Sequence, residues 1–322
     1  MRAAANFVAL VLALGFGAGA ALAWANDPPP PWAYPVNPPG LKPVPDDGVP
    51  RHVPDSDAAF TLTQIRDLSF APDWHPEDHP AMPEVVARGR KPDVLACGSC
   101  HRADGAGGPE NARLAGLSVA YIAQQLRDFK SGARGTSVPE RLPPKLMIAT
   151  AKAINDGEIE AAAEYFSALK PRSTIRVVEA ENVPNTHVVG WHLALAPEGG
   201  TEPIGERIIE VPENLEDFES RDGRARFIAY VPPGSIQKGQ ALATAGVGRG
   251  PPCRSCHGPD LKGLGQIPGI AGRSPSYIVR QLYDFRSGVR AGIESEPMRQ
   301  VADKLSMNDM LALAAYAASL AP

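Results

Sequence analysis

The sequence predicts an all-α protein made of two tandem copies of one helical unit. A small β-containing insert separates the copies and a proline-rich arm precedes them. Three observations carry this expectation. A shift of 156 residues superposes 97–132 on 253–288 without a gap, with 17 of 36 positions identical. Each copy holds a segment of helical period: Ile122, Leu126 and Phe129 recur at i, i+4 and i+7, and Gly132 supplies the stop. Proline, by contrast, crowds residues 26–60, where Pro28 to Pro31, Pro35, Pro38, Pro39, Pro43, Pro45, Pro50 and Pro54 leave no room for a helix.

Taken in order, residues 1–25 read as a secretory signal peptide. Arg2 is the lone early charge, Phe7 to Ala23 is an apolar run, and Ala21-Leu22-Ala23 and Ala23-Trp24-Ala25 are cleavage patterns. An uncleaved membrane anchor is the alternative, but the run is short and rich in glycine. Either way the rest of the chain is expected outside the cytoplasmic membrane, in the periplasm. The arm over 26–60 reads as a stiff polyproline-like segment, either a spacer or a strap across the folded units. The first unit is expected over 61–170, the insert over 171–238 and the second unit over 239–322. Within the insert, Ile204 to Val211 and Arg226 to Val231 read as short strands.

Composition narrows the function. The 322 residues carry 32 Lys and Arg against 36 Asp and Glu, a net charge of −4, which argues against a general nucleic-acid binder. Four cysteines are too few for a disulfide-dense scaffold of this length. All four lie in Cys97-Gly98-Ser99-Cys100-His101 and Cys253-Arg254-Ser255-Cys256-His257. C-x-x-C-H is the attachment pattern of c-type haem. Two thiols one helical turn apart can each form a thioether to a haem vinyl, and the adjacent imidazole becomes an axial ligand of the iron. A redox C-x-x-C site, a zinc site built from all four cysteines and two structural disulfides are rivals; none explains a histidine after both pairs. Two covalently bound haems c follow as the expected cofactors.

Beyond residue 132 the shift becomes 151, aligning Met147 with Met298, Tyr165 with Tyr316 and Leu169 with Leu320. Asn155 and Ser306 are placed as N-caps of the last helix in each copy. The repeat unit is then a C-x-x-C-H helix, a loop, an amphipathic helix, a methionine and a terminal helix. This pattern resembles the class I cytochrome c fold and, more narrowly, the tandem two-haem cytochromes of the cytochrome c-four type. The carrying residues are Tyr121-x-x-x-Gln125-Leu126-x-x-Phe129-x-x-Gly132 and Tyr277-x-x-x-Gln281-Leu282-x-x-Phe285-x-x-Gly288. The resemblance covers about 85–170 and 239–322 and neither the arm nor the insert.

The resemblance implies His101 with Met147, and His257 with Met298, as axial metal ligands, a pairing that raises the potential over two histidines. Met82 is a weak competitor for the first site; Met307 and Met310 read as core. The family usually has a proline whose carbonyl accepts the histidine Nδ1–H. Copy two has Pro268 there, but copy one has Ala112, so a less constrained loop and inequivalent haems are expected. His187, Trp191 and His192 in the insert, and His75 and His79 before prolines, read as structural loops. Lys130, Arg134, Arg286 and Arg290 suit either a steering patch for an acidic partner or a solvated helix face.

The implied function is a periplasmic electron carrier without a catalytic residue of its own. It would pass single electrons from a dehydrogenase or quinol-oxidising complex to an oxidase or reductase of a respiratory chain. A two-haem peroxidase, a thiosulfate-oxidising enzyme with a cysteine ligand, and a haem subunit of a membrane-bound dehydrogenase or oxidase are the alternatives. Paired methionines weigh against the first and the lack of a spare cysteine against the second.

Overall fold

In this computed structural model, which describes residues 28–248 and 250–322, side-chain caps start six of the twelve described α-helices. The expected signal peptide lies outside the described residues. Among the described residues no helix is long and apolar enough to cross a membrane. The first unit contains α1 (Leu62–Arg66), α2 (Glu84–Ala87), α3 (Cys97–His101), α4 (Val119–Ser131), α5 (Leu142–Ala153) and α6 (Asp156–Ala168). Ser118 caps α4 by accepting from the Tyr121 amide, and Gly132 ends it in the left-handed conformation. Asn155 and Glu158 form a reciprocal capping box at α6, as Ser306 and Asp309 do at the last helix of the second unit. Ile122 and Leu126 are buried among Val86, Ala151, Ile159, Ala163 and Phe166, with Phe129 half-buried beside them.

The insert contributes β1 (Ile175–Glu179), β2 (Asn182–Pro184), β3 (Thr186–Val189), β4 (His192–Leu195), β5 (Thr201–Pro203), β6 (Ile209–Pro212), α7 (Leu215–Glu219) and β7 (Phe227–Val231). Strands β1, β7 and β6 form one sheet, with β1 parallel and β6 antiparallel to β7. Two antiparallel pairs, β2 with β5 and β3 with β4, complete the segment. The strand expected from Ile204 starts only at Ile209. Arg207 folds back to donate to the carbonyls of Ile204 and Pro203 at 2.8 and 2.7 Å, which closes a turn before the ladder begins.

The second unit holds α8 (Ser235–Ala245), α9 (Cys253–His257), the short pair β8 (Gly263–Leu264) and β9 (Ile267–Pro268), α10 (Pro275–Arg286), α11 (Glu296–Ala302) and α12 (Met307–Ser319). Helix α8 starts at Ser235, so the boundary expected at 239 falls inside it. Gly239 sits where α8 crosses α12; a Cβ there would run into the Ala312 carbonyl. That absent side chain lets the two helices approach closely. In copy one the helix just before the motif is the four-residue α2, which is why the periodicity of α8 has no counterpart upstream.

The two copies meet across a seam built from their aligned residues. Arg134 donates to Gln125 Oε1 at 2.7 Å, to Gln281 Oε1 at 2.8 Å and to the Tyr277 hydroxyl at 3.2 Å. Its counterpart Arg290 donates to Gln281 Oε1 at 3.0 Å, to Gln125 Oε1 at 2.7 Å and to the Tyr121 hydroxyl at 2.9 Å. The backbones pair alongside: Gly135 N reaches Val289 O at 2.6 Å and Ala291 N reaches Ala133 O at 2.7 Å. Arg134 and Arg290 are only 8% and 5% exposed. They are neither a steering patch nor a solvated face, and both readings expected for them are corrected. Lys130 and Arg286 are likewise engaged, donating to the carbonyls of Ile154 and Leu305 at 2.7 and 3.2 Å.

The proline-rich arm is a strap over this seam. Tyr34 is 3% exposed and donates to Asp284 Oδ1 at 2.7 Å. Arg280 donates to Ala33 O at 2.7 Å and Arg141 to Pro35 O at 3.1 Å, so both copies hold the arm. Residues 41–50 stay exposed. Tyr34→Ala should destabilise the folded chain by about 3 kcal/mol, the usual cost of deleting a buried aromatic. Tyr34→Phe should cost about 1 kcal/mol, that of the lost hydrogen bond. Denaturant midpoints of the two variants against the parent give both values.

A second clasp ties the insert to the segment before the first motif. Trp74 Nε1 donates to Ser220 O at 2.8 Å, and His75 Nε2 pairs with Asp222 at 3.1 Å. Arg224 bonds both oxygens of Asp78 at 2.8 and 3.0 Å and Glu77 at 2.7 Å, and Arg172 also pairs with Asp78. These guanidinium bonds hold the Asp78 carboxyl well below the usual carboxylate range. A depressed folded value contributes stability above the unfolded pKa, about 3.9, and loses it as pH falls further. Asp78→Asn should therefore cost about 2 kcal/mol at neutral pH. It should also flatten the acid limb of the stability–pH profile, read by denaturation at pH 3 to 7.

Candidate functional site

The two motifs occupy equivalent short helices, α3 and α9, each ending in its histidine. The cysteines are not joined in disulfides. One helical turn separates the two thiols of a pair, the spacing thioether attachment requires. Burial pushes the Cys97 thiol up to about 12 and raises that of Cys253 as well. Nucleophilic cysteines need the opposite shift, so the dithiol redox reading is poorly served.

Each imidazole is locked from behind. His101 Nδ1 bonds to Ala112 O and His257 Nδ1 to Pro268 O, both at 2.8 Å. Such a bond fixes the tautomer, leaving Nε2 for a metal. The Ala112 carbonyl accepts this bond as that of Pro268 does: a backbone carbonyl serves whether or not the residue is proline. Burial lowers the basicity of both rings, which keeps them neutral and competent as ligands.

Met147 lies in α5 and is half-buried against the first core, the one that also receives Cys97. Met298 lies in α11 and packs against the second core together with Cys253. Met82 reaches the first core too. Met310 is fully buried and Met307 packs at the edge of the second core, as expected for structural residues. Each unit thus brings one cysteine of its motif and the aligned methionine to one apolar core, a setting that fits a haem.

The copies differ in what covers the motif edge. In copy one, Ser99 is fully buried and Arg221 of the insert donates to its carbonyl. Phe218 of α7 stacks under the Arg102 guanidinium, 5.2 Å from the ring centroid, and Arg102 Nη2 reaches Phe218 O at 3.4 Å. Arg102 has φ 68, where the aligned residue of copy two is Gly258 at φ 86. A non-glycine residue is held in this unfavourable backbone conformation by its contacts with the insert. In copy two, Ser255, Cys256, Leu264 and Ile267 are all exposed. The two motif edges therefore differ in their cover, while the two histidine bonds match at 2.8 Å.

The remaining histidines are structural. His192 is buried with its ring 4.4 Å from that of Phe218, and His187 is exposed on β3. Together with Glu77 and Asp78, His75 makes a cluster of potential metal-binding geometry, but Arg224 and Arg172 already neutralise both carboxylates. His79 pairs with Asp73 at 3.1 Å. A short 3-10 turn (Pro76–Asp78) separates the two histidines. Sequence reasoning gave no role to Arg102, Arg221 or Arg273. Only the side of the seam on which each lies distinguishes them from surface arginines.

Paired C-x-x-C-H helices with carbonyl-locked imidazoles are the arrangement of a c-type cytochrome. The Cytochrome c family model matches residues 86–170. The chain is 28% identical over 231 residues to the thiosulfate dehydrogenase electron acceptor of Thiomonas intermedia, covering 71% of this chain and 80% of that protein. It is 26% identical over 229 residues to cytochrome c4 of Azotobacter vinelandii, covering 69% and 83%. Over 78 residues it is 36% identical to cytochrome c-554(548) of Halomonas halodenitrificans, covering 24% of this chain and 94% of that one. It is a cytochrome c4-like electron carrier that bears covalent haem c.

Proposed function

We propose that the protein is an exported, periplasmic two-haem shuttle that takes single electrons from a dehydrogenase and passes them on to an oxidase or reductase. Cys97, Cys100, His101 and Met147 hold the first haem; Cys253, Cys256, His257 and Met298 hold the second. The observation that carries this reading is the duplication of one arrangement: each histidine has its Nδ1 fixed at 2.8 Å by a carbonyl eleven residues on, while an aligned methionine packs on each core. Haem c supplies reversible one-electron chemistry when bound. The chain's own residues fix the ligand tautomer, exclude water and leave no open position for a substrate, which separates a carrier from a peroxidase. Similarity to a thiosulfate dehydrogenase electron acceptor supports an enzyme of that class as the donor. The exposed edge at Ser255, Cys256, Leu264 and Ile267 suits contact with such a partner better than the covered edge of copy one.

Pyridine haemochrome analysis should give two haems c per chain, and resonance Raman should show both low-spin. Met147→Ala and Met298→Ala should each convert one haem to high spin and leave the other low-spin. A variant that changes neither spectrum would remove that methionine from the ligand set. Stopped-flow mixing with a thiosulfate dehydrogenase and thiosulfate should reduce the cytochrome; no reduction would exclude that donor.

A further inference from the structure

The two histidine-locking loops are joined by one side chain. Arg273 donates from Nε to Gly269 O at 2.6 Å and from Nη1 to Arg113 O at 2.7 Å. Residues 113 and 269 are partners under the 156-residue shift. Each directly follows the residue whose carbonyl accepts an axial histidine, Ala112 in copy one and Pro268 in copy two. A single guanidinium thus bridges equivalent carbonyls of the two copies. A continuous run of bonds connects the rings: His101 to Ala112, along one peptide to Arg113, across Arg273 to Gly269, and along one peptide to Pro268 and His257. Arg273 is 8% exposed. The residue aligned with it in copy one is Leu117, so the bridge is made once and not in duplicate.

We propose that Arg273 is the positioning residue that couples the two haem sites. It acts on both axial histidines through their carbonyl acceptors, setting both potentials and the ease of electron exchange between the sites. Two physical effects follow from this placement. The charge lies beside both loops in a water-poor seam, where it favours the reduced state of each iron, the state with less positive charge. The fork geometry fixes the two loops relative to one another, which a point-charge ammonium does not do. Burial disfavours the charge on Arg273, and the two backbone carbonyls that accept from it offset that cost. Outer-shell partners of this kind control metal sites at the level of the ligands themselves.

This inference rests on the two-haem reading, so the experiment separates the two. The holoprotein is first assayed for haem content; fewer than two haems per chain would defeat the two-haem reading and leave no pair to couple. Redox titration with haem-resolved NMR is then run on Arg273→Gln, Arg273→Lys and the control Arg286→Gln, which removes a guanidinium bond to the Leu305 carbonyl within copy two alone. Arg273→Gln should lower the potentials of both haems. It should also slow haem-to-haem transfer after pulsed reduction by about tenfold, the scale on which outer-shell partners act. Arg273→Lys should keep most of the potential but not the transfer rate, because it retains the charge without the fork. The control should leave copy-one signals unmoved. If Arg273→Gln perturbs only the second haem, or if Arg273→Lys restores the rate fully, Arg273 is a local residue of copy two and the coupling role fails. Should Arg273→Gln not accumulate as holoprotein, the lysine variant alone still decides the rate.

Discussion

A guanidinium taken out of water must be given acceptors, and this protein's two-domain geometry follows from meeting that demand. Arg134, Arg290, Arg273, Arg280 and Arg141 are all buried where the copies, the arm and the insert converge. Each finds a carbonyl, amide or hydroxyl oxygen on a neighbouring part of the chain. An unpaired buried charge costs several kcal/mol, roughly 3–5 when one partner of such a pair is lost. No part can therefore slide without stranding a cation. Apolar packing fills each helical unit, but it is indifferent to the angle between the units. The arginine forks fix that angle.

The seam is symmetric because the sequence is duplicated. Arg134 with Gln125 and Tyr277 mirrors Arg290 with Gln281 and Tyr121, so one set of contacts is used in both directions. Departures from the symmetry are then informative. The insert covers the motif edge of copy one through Phe218 and Arg221, and it holds Arg102 in a backbone conformation that copy two gives to glycine. Copy two keeps its edge open. Two copies of one motif are thereby placed in unequal surroundings, and such surroundings tune a metal site.

The arm and the insert share a physical logic. Both are tied down by polar bonds to the helical units. Trp32 and Tyr34 seat the arm on the second core, and Trp74, His75 and Asp78 clasp the insert to the first unit. Proline suits the arm because it limits the conformations lost on docking. Residues 41–50 of the arm remain exposed, and Val53 then returns to a small core with Ile65 and Trp74.

Much of this was legible in the sequence alone. The repeat, the two C-x-x-C-H helices, the caps at Asn155 and Ser306 and the stop at Gly132 depend on spacing and local hydrogen bonding, which the order of residues determines directly. The aligned methionines were visible because both copies kept the same register. What only the tertiary structure decided concerns residues whose role depends on a distant neighbour. Arg134 and Arg290 look like surface charges until the two copies face one another. Arg273 looks like a loop residue until Arg113 O lies within its reach. A guanidinium's long, polar-tipped side chain takes its environment from parts of the chain far away in sequence. Local pattern is therefore silent about it, whereas helix period, capping and ligand spacing are settled within a dozen residues.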